Sequence, residues 1–378
     1  MHGRARRVAT CSCYNFLFTL KTIPAQGEEC LARLPQRVPV SATKPAARPV
    51  PGRRIGIHTS VAGGVSKAAE RAYHRGCNTL QIFSTSPRQW KPSSIDAAEA
   101  RLFLKLREKY DLRPLAIHDN YLINLASADP VIREKSIEAF RGELERAVLL
   151  EAEYLIAHPG SAGGGDRREA LVRFIVGMEH AARGLSLGRL RILIENTAGG
   201  GGALGCDHQF EEVRAILRLA DRIPLGCCLD TAHLYQCGMD VSQAAGLDAV
   251  VERFERAVGL DCLHVIHTND SKTALGSRAD RHQHIGEGRI GLEGFRRILN
   301  HAKLRDKAFI LETPIDKEGD DLRNLNTVRG LVAPEGGRRR AAATERRAVQ
   351  PHPGRAPHRT ASRNRNGREI VQPAGNRA

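Results

Sequence analysis

The feature that most constrains this chain is a set of eight short apolar runs, the last six of which end on side chains that ligate zinc well. The runs are Arg54–His58, Thr79–Phe83, Pro114–His118, Tyr154–His158, Arg191–Glu195, Leu225–Asp230, His264–His267 and Ala308–Glu312. They begin about 25 to 45 residues apart, room enough after each strand for a loop, a helix and a return to the sheet. Strands alternating with helical crossovers build a parallel sheet, and eight such units close into a (β/α)₈ TIM barrel, an α/β fold. In that fold the active site forms where the strands end. His118, His158, Glu195, Asp230, His267 and Glu312 are therefore expected around one mouth. A single His or Glu of this kind is usually a satisfied core residue; six in step with the strand repeat are not explained that way.

Three further candidates follow in the loops. Asp230-Thr-Ala-His233 sets a carboxylate and an imidazole three residues apart where a strand turns into its loop. Asp280-Arg-His282 sets the same pair two apart, on one side of a locally extended segment. The set becomes His118, His158, His233, His267 and His282 with Glu195, Asp230, Asp280 and Glu312. Imidazole mixed with carboxylate, without thiolate, suits zinc ahead of manganese or iron. Nine ligands exceed the needs of one ion, while three closed four-coordinate sites would take about twelve protein bonds. With one bridging carboxylate the set supplies about ten. Positions left open for water or substrate mark a catalytic centre, and clustered ions suit phosphoryl transfer.

The net charge of +16 suggests nucleic acid, but its distribution moves the excess to the ends. Residues 1–54 hold ten Lys/Arg against two Asp/Glu, and residues 333–378 hold eleven Arg against three Glu. The stretch between them is balanced. Both ends, 1–53 and 333–378, read as disordered extensions, the first also as an over-extended start. The TIM-barrel domain is expected to span 54–332. No run approaches a membrane span. Of nine cysteines, none forms a Cys-x-x-Cys pair, so buried free thiols in a reducing, cytoplasmic setting are expected.

Longer motifs then carry a resemblance. They are His118-Asp-Asn-Tyr-Leu-Ile-Asn-Leu125, Ala157-His-Pro-Gly160, Ile194-Glu-Asn-Thr-Ala-Gly199, Leu229-Asp-Thr-Ala-His233, His267-Thr-Asn-Asp-Ser-Lys272, Ser277-Arg-Ala-Asp-Arg-His282, Gly286-Glu-Gly288 and Leu311-Glu-Thr313. Together, over about residues 55–332, the chain resembles the endonuclease IV family of zinc-dependent apurinic/apyrimidinic endonucleases of base excision repair. The resemblance implies three zinc ions per chain. One takes His118 and His158 and shares Glu195 with a second; the second also takes Asp230, His267 and Glu312; the third takes His233, Asp280 and His282. It implies hydrolysis of the phosphodiester 5′ to an abasic site in duplex DNA, leaving a 3′-hydroxyl and a 5′-deoxyribose phosphate. Glu195, the bridge, is the catalytic candidate, and a monomer is expected. Ala232, Tyr235, Thr59 and Val61 depart from the usual family residues, and none of them is a ligand.

The same resemblance places Arg88 and Gln89 in one loop, and Tyr121 and Leu122 in the next, where the family penetrates the duplex around the lesion. Arg281, between two ligands, is a candidate for a DNA phosphate or for pairing with Asp280. Trp90 reads as packed under its loop, His58 as support behind the metals, and His284 as ordering the Gly-rich segment after it. The rival is a metal-dependent sugar isomerase or epimerase, which uses the same barrel. It needs fewer ligands, and it has no use for Arg88-Gln89 and Tyr121-Leu122 beside the pocket.

Overall fold

The computed structural model describes residues 49–90 and 94–334. Eight strands close a parallel barrel: β1 (Arg54–His58), β2 (Thr79–Phe83), β3 (Leu115–His118), β4 (Tyr154–Ala157), β5 (Arg191–Glu195), β6 (Leu225–Asp230) and β7 (Leu263–His267), with the last, β10 (Ala308–Leu311), coming after a small ribbon. That ribbon pairs β8 (Asp270–Ser271) antiparallel to β9 (His282–Gln283). β1 hydrogen-bonds to both β2 and β10, which closes the ring. The helices are α1 (Val65–His74), α2 (Ala97–Lys109), α3 (Pro130–Leu149), α4 (Arg167–Ala182), α5 (Glu211–Leu219), α6 (Thr231–Gln236), α7 (Ala244–Ala257), α8 (Gly291–Asn300) and α9 (Asp320–Leu331). The expected TIM barrel is the fold of the described residues, and each expected strand boundary lies within one residue of the observed one. The two terminal extensions lie almost wholly outside those residues.

The strand period of two divides the barrel into layers. Ala116, Ile156, Leu193, Cys228, Val265, Ala308 and Ile310 make a small apolar cluster inside it. Alternate residues such as Leu80, Ile82, Ile117, Leu155 and Ile192 face outward, against Phe103, Phe140, Phe174, Phe254 and Phe295 of the helices. Each such side chain, fully buried, contributes about 1.5–3 kcal/mol relative to exposure. α2, α3 and α4 start at capping carboxylates: Asp96, Asp129 and Asp166 accept from their first-turn amides. Asp129 is followed by Pro130, whose missing N–H costs nothing at that position. Gly56 answers a steric demand, since a Cβ there would lie 1.9 Å from the Thr79 carbonyl oxygen.

The expectation of free thiols holds for buried Cys77, Cys227 and Cys228 and for half-buried Cys262. It fails for Cys206 and Cys237, which form a disulfide. Their separation of 31 residues belongs to no spacing motif; folding brings the two Cα atoms to 5.7 Å. The bond ties the loop after β5 to the C-terminal end of α6. Among the described residues no helix is long and apolar enough to cross a membrane.

Candidate metal centre

One step of two residues along each strand converts the inner apolar layer into the candidate site. Ala116 leads to His118, Ile156 to His158, Leu193 to Glu195, Cys228 to Asp230, Val265 to His267 and Ile310 to Glu312. All six therefore face inward at the C-terminal end of the barrel. Glu195 is fully buried and lies at the centre. Its Oε2 is 3.2 Å from His118 Nε2 and 3.6 Å from His158 Nε2, and its Oε1 is 3.0 Å from His267 Nδ1 and 3.3 Å from His233 Nδ1. His267 Nδ1 also lies 3.3 Å from Glu312 Oε2 and 3.9 Å from Asp230 Oδ2.

The third expected group assembles from the loops. Asp230 caps α6 by accepting from His233 N at 2.8 Å, which seats the His233 ring over the mouth. Asp280 brings Oδ2 to 3.3 Å from His233 Nε2 and Oδ1 to 3.5 Å from His282 Nε2. His282 Nε2 is also 3.6 Å from Asp230 Oδ2. Ligand atoms within 4.8 Å of one another fall into three overlapping groups: His118, His158 and Glu195; Glu195, Asp230, His267 and Glu312; and Asp230, His233 and His282. Asp230 thus stands between the second and third groups as Glu195 stands between the first and second.

Ring nitrogens show that this set fits metal. His118 Nδ1 lies 2.9 Å from the Asp119 carbonyl, His233 Nδ1 2.9 Å from that of Asn196, and His282 Nδ1 3.2 Å from that of Glu312. A carbonyl only accepts, so each Nδ1 carries the proton and donates it; Nε2 is then turned to Glu195 in His118, to Asp280 in His233, and to Asp230 and Asp280 in His282, while His233 Nδ1 also keeps its Glu195 contact. The Nε2 atoms of His233 and His282 are buried without a hydrogen-bond partner. Lone pairs aimed at carboxylates call for a cation between them.

Electrostatics agree. Burial pulls the His118 imidazole down, but the Glu195 hydrogen bond and charge, with Glu312 and Asp119, take it up to about 10. Burial alone would raise the Glu195 carboxyl; His267, His158, His118 and His233 hold it well below the usual carboxylate range. Asp280 is likewise held at about 2, burial being outweighed by the His233, His282 and His158 imidazoles. Cys228 lies within reach of Glu195 and His267, yet burial and the surrounding carboxylates push its thiol up.

A cavity of about 420 Å³ opens over these residues, rimmed by Tyr121, Arg281 and Ile315. A second, about 490 Å³, adjoins it beside Asn120, Asn124 and Thr197. Tyr121 is 65% exposed at the edge of both. Its ring packs edge-on to Phe83, centroids 5.0 Å apart. Leu122 is half-buried, and Arg88 and Gln89 are exposed on the preceding loop. The two loops are joined: Tyr121 N donates to the Pro87 carbonyl at 3.2 Å and Asn120 Nδ2 to that of Gln89 at 2.7 Å. Arg281 is exposed and bonds the Asp280 backbone carbonyl rather than its carboxylate. Trp90 is half-buried.

Several residues of the centre carry no role in the sequence reading. Asn269 Nδ2 donates to Asp230 Oδ2 at 2.6 Å and to Glu312 Oε2 at 3.2 Å. Asn196 accepts from Asp230 N at 2.7 Å. Gln81, fully buried, touches His58, His267 and Glu312. Its signal was present: a glutamine at the middle of an apolar strand, on the inward phase. His58 lies 3.5 Å from Glu312. The Gly-rich segment is held chiefly by Asp270, which accepts from the amides of Ser271, Gly286, Gly288 and Ile290 at 2.8–3.0 Å. His284 instead contacts Asn324 and Asp316.

Comparison with known proteins agrees with this geometry. A family described as xylose isomerase-like TIM barrels matches residues 69–336. A protein named "Probable endonuclease 4" from Solibacter usitatus is 50% identical over 282 residues, covering 74% of this chain and 97% of that relative. One of the same name from Halothermothrix orenii is 40% identical, covering 69% of this chain and 93% of its own length. The crystal structure of endonuclease IV from Thermus thermophilus superposes with a TM-score of 0.66 at 41% identity, covering 74% of this chain and 98% of that one. By sequence and by fold, the chain belongs to the endonuclease IV family.

Proposed function

We propose that this chain cuts damaged duplex DNA by hydrolysing the phosphodiester 5′ to an abasic site. Its nine imidazole and carboxylate ligands would hold three zinc ions, and residues 54–332 would be the catalytic unit. Glu195 carries the reading: one buried carboxylate meets four imidazoles beneath a cavity edged by the exposed Tyr121. Zinc in such a centre neutralises phosphate oxygens and lowers the pKa of water to near neutrality. In the reaction a water oxygen joins phosphorus, the P–O3′ bond breaks, and O3′ takes up a proton. The products are a 3′-hydroxyl and a 5′-deoxyribose phosphate.

The chain's own groups have separable tasks in this reading. Asn269 holds the carboxylates of Asp230 and Glu312 in place, and Asn196 holds the Asp230 backbone. A nucleotide without its base has little stacking to lose, so extruding it costs less than the few kcal/mol of a paired one. Tyr121 and Leu122, with Arg88 and Gln89 on the adjoining loop, would fill the vacated stack, and Arg281 would meet a backbone phosphate. A sugar isomerase on this barrel would leave the Asp280–His282 pair and the exposed Tyr121 without a task.

The test is metal content of the purified full chain together with cleavage of a duplex carrying one abasic analogue. About three zinc ions per chain and a 3′-hydroxyl product are expected. An unsaturated sugar end would replace hydrolysis by lyase chemistry. Sugar isomerisation with the DNA left intact would establish the rival.

A further inference from the structure

We propose that Gln81 is a positioning residue that decides which ring nitrogen His267 turns toward the metals and which oxygen Glu312 leaves free for them. The inference rests on the metal-centre reading above. Gln81 lies on β2, is fully buried, and occupies the inward phase where β3 to β7 carry apolar residues. Its Oε1 is 2.8 Å from His267 Nε2. Its Nε2 donates to Glu312 Oε1 at 2.5 Å and lies 3.0 Å from His58 Nδ1.

Only one amide orientation satisfies all three neighbours. Turned over, the carbonyl oxygen would face the Glu312 carboxylate, acceptor against acceptor, and the NH₂ would face His267 Nε2. With Oε1 toward His267, that ring keeps its proton on Nε2. It must then present Nδ1 to the space between Glu195, Glu312 and Asp230. The Glu312 oxygen bonded to Gln81 at 2.5 Å also faces His58, whereas Oε2 has only the longer Asn269 bond at 3.2 Å and lies 3.3 Å from His267 Nδ1, which makes Oε2 the one for metal. His118, His233 and His282 are set the other way: the nearest partner of each Nδ1 is a backbone carbonyl at 2.9–3.2 Å, and each Nε2 faces a carboxylate. His267 differs from these three in being set by a side chain, so its orientation can be changed by one substitution.

The test uses zinc-loaded full-length protein with ¹⁵N-labelled histidine. Ring nitrogen shifts should show His267 protonated at Nε2 in the wild type. Gln81→Met, which keeps the length and removes both bonds, should lose about 10–100-fold in affinity for one of the bound zinc ions, read by chelator competition. Its kcat should fall with KM for DNA unchanged, since Gln81 reaches no surface. Gln81→Glu keeps the acceptor for His267 but sets a second carboxylate against Glu312. It should preserve the tautomer and still bind zinc less tightly. A wild-type His267 protonated at Nδ1 overturns the proposal even if neither variant folds. So does a folded Gln81→Met with unchanged tautomer and zinc affinity. A wild type that binds no zinc at all would instead overturn the metal-centre reading.

Discussion

The two ends of the barrel both carry histidine on their strands, and they treat it in opposite ways. At the mouth, carboxylates outweigh burial and take His118 up to about 10. At the base, His264 stacks on Tyr154 with ring centroids 5.2 Å apart, and its Nε2 is buried without a partner. Burial, then Arg191 and Lys307, pull His264 down to about 4. One residue type on one set of strands is thus a cation-seeking ligand at one end and a neutral packing group at the other. Neighbouring charge separates the two roles; burial does not.

Removing the central charge of the mouth should break that contrast most strongly. Glu195→Gln is expected to cost at least two orders of magnitude in turnover at an abasic site, because four imidazoles lose a shared counter-charge and two ligand groups lose their link. The measurement is kcat with metal content determined on the same sample. Near-wild-type turnover at full occupancy would remove Glu195 from the mechanism.

The disulfide lies on the mouth side, tying the loop after Glu195 to the helix of His233. Breaking it with Cys206→Ser and Cys237→Ser should lower unfolding free energy by about 4 kcal/mol, the loop-closure value for a ring of this size. Denaturant titration reads the loss. Equal midpoints for the variant and the oxidised wild type would show that the bond contributes no stability.

Tyr121→Ala should weaken duplex cleavage about tenfold through binding, since stacking on an aromatic is worth about 1–3 kcal/mol per base. Hydrolysis of a small phosphodiester should hardly change. Equal losses on both substrates would mean that Tyr121 supports His118 instead of DNA.

The smallest effect belongs to the base. His264 has a folded pKa below the free value of 6.5, so the unfolded chain takes its proton first. Its contribution to stability is full above about 6.5 and declines as pH falls toward 4. His264→Phe should therefore lose less stability than the wild type between pH 7 and pH 5. Parallel losses in the two proteins would show that His264 does not titrate in that window.

The strands of this fold and the gathering of its candidate ligands were legible in the sequence because both rest on local pattern. Period two fixes the inward phase, and a zinc-ligating side chain at the end of that phase announces itself, as at His118, Glu195 and His267. What lies behind the ligands was not legible. Gln81, Asn196 and Asn269 are amides whose meaning depends on partners far away in sequence, Gln81 and His267 being 186 positions apart. The Cys206–Cys237 bond escaped for the same reason. So did the ribbon of β8 and β9, whose two-residue strands are too short to show alternation. Local periodicity locates a site, whereas the hydrogen bonds that orient it are a property of the closed barrel.

Asp270 gives one of those long-range bonds a meaning for a protein that works on a polyanion. Amides converging from Ser271, Gly286, Gly288 and Ile290 make the kind of concavity that captures phosphate. Here the chain fills it with a carboxylate of its own. This counter-ion cannot exchange with buffer anions or be displaced by a passing strand. The loop next to the candidate ligands therefore has its converging amides satisfied from within the chain, and it offers DNA no competing place to rest.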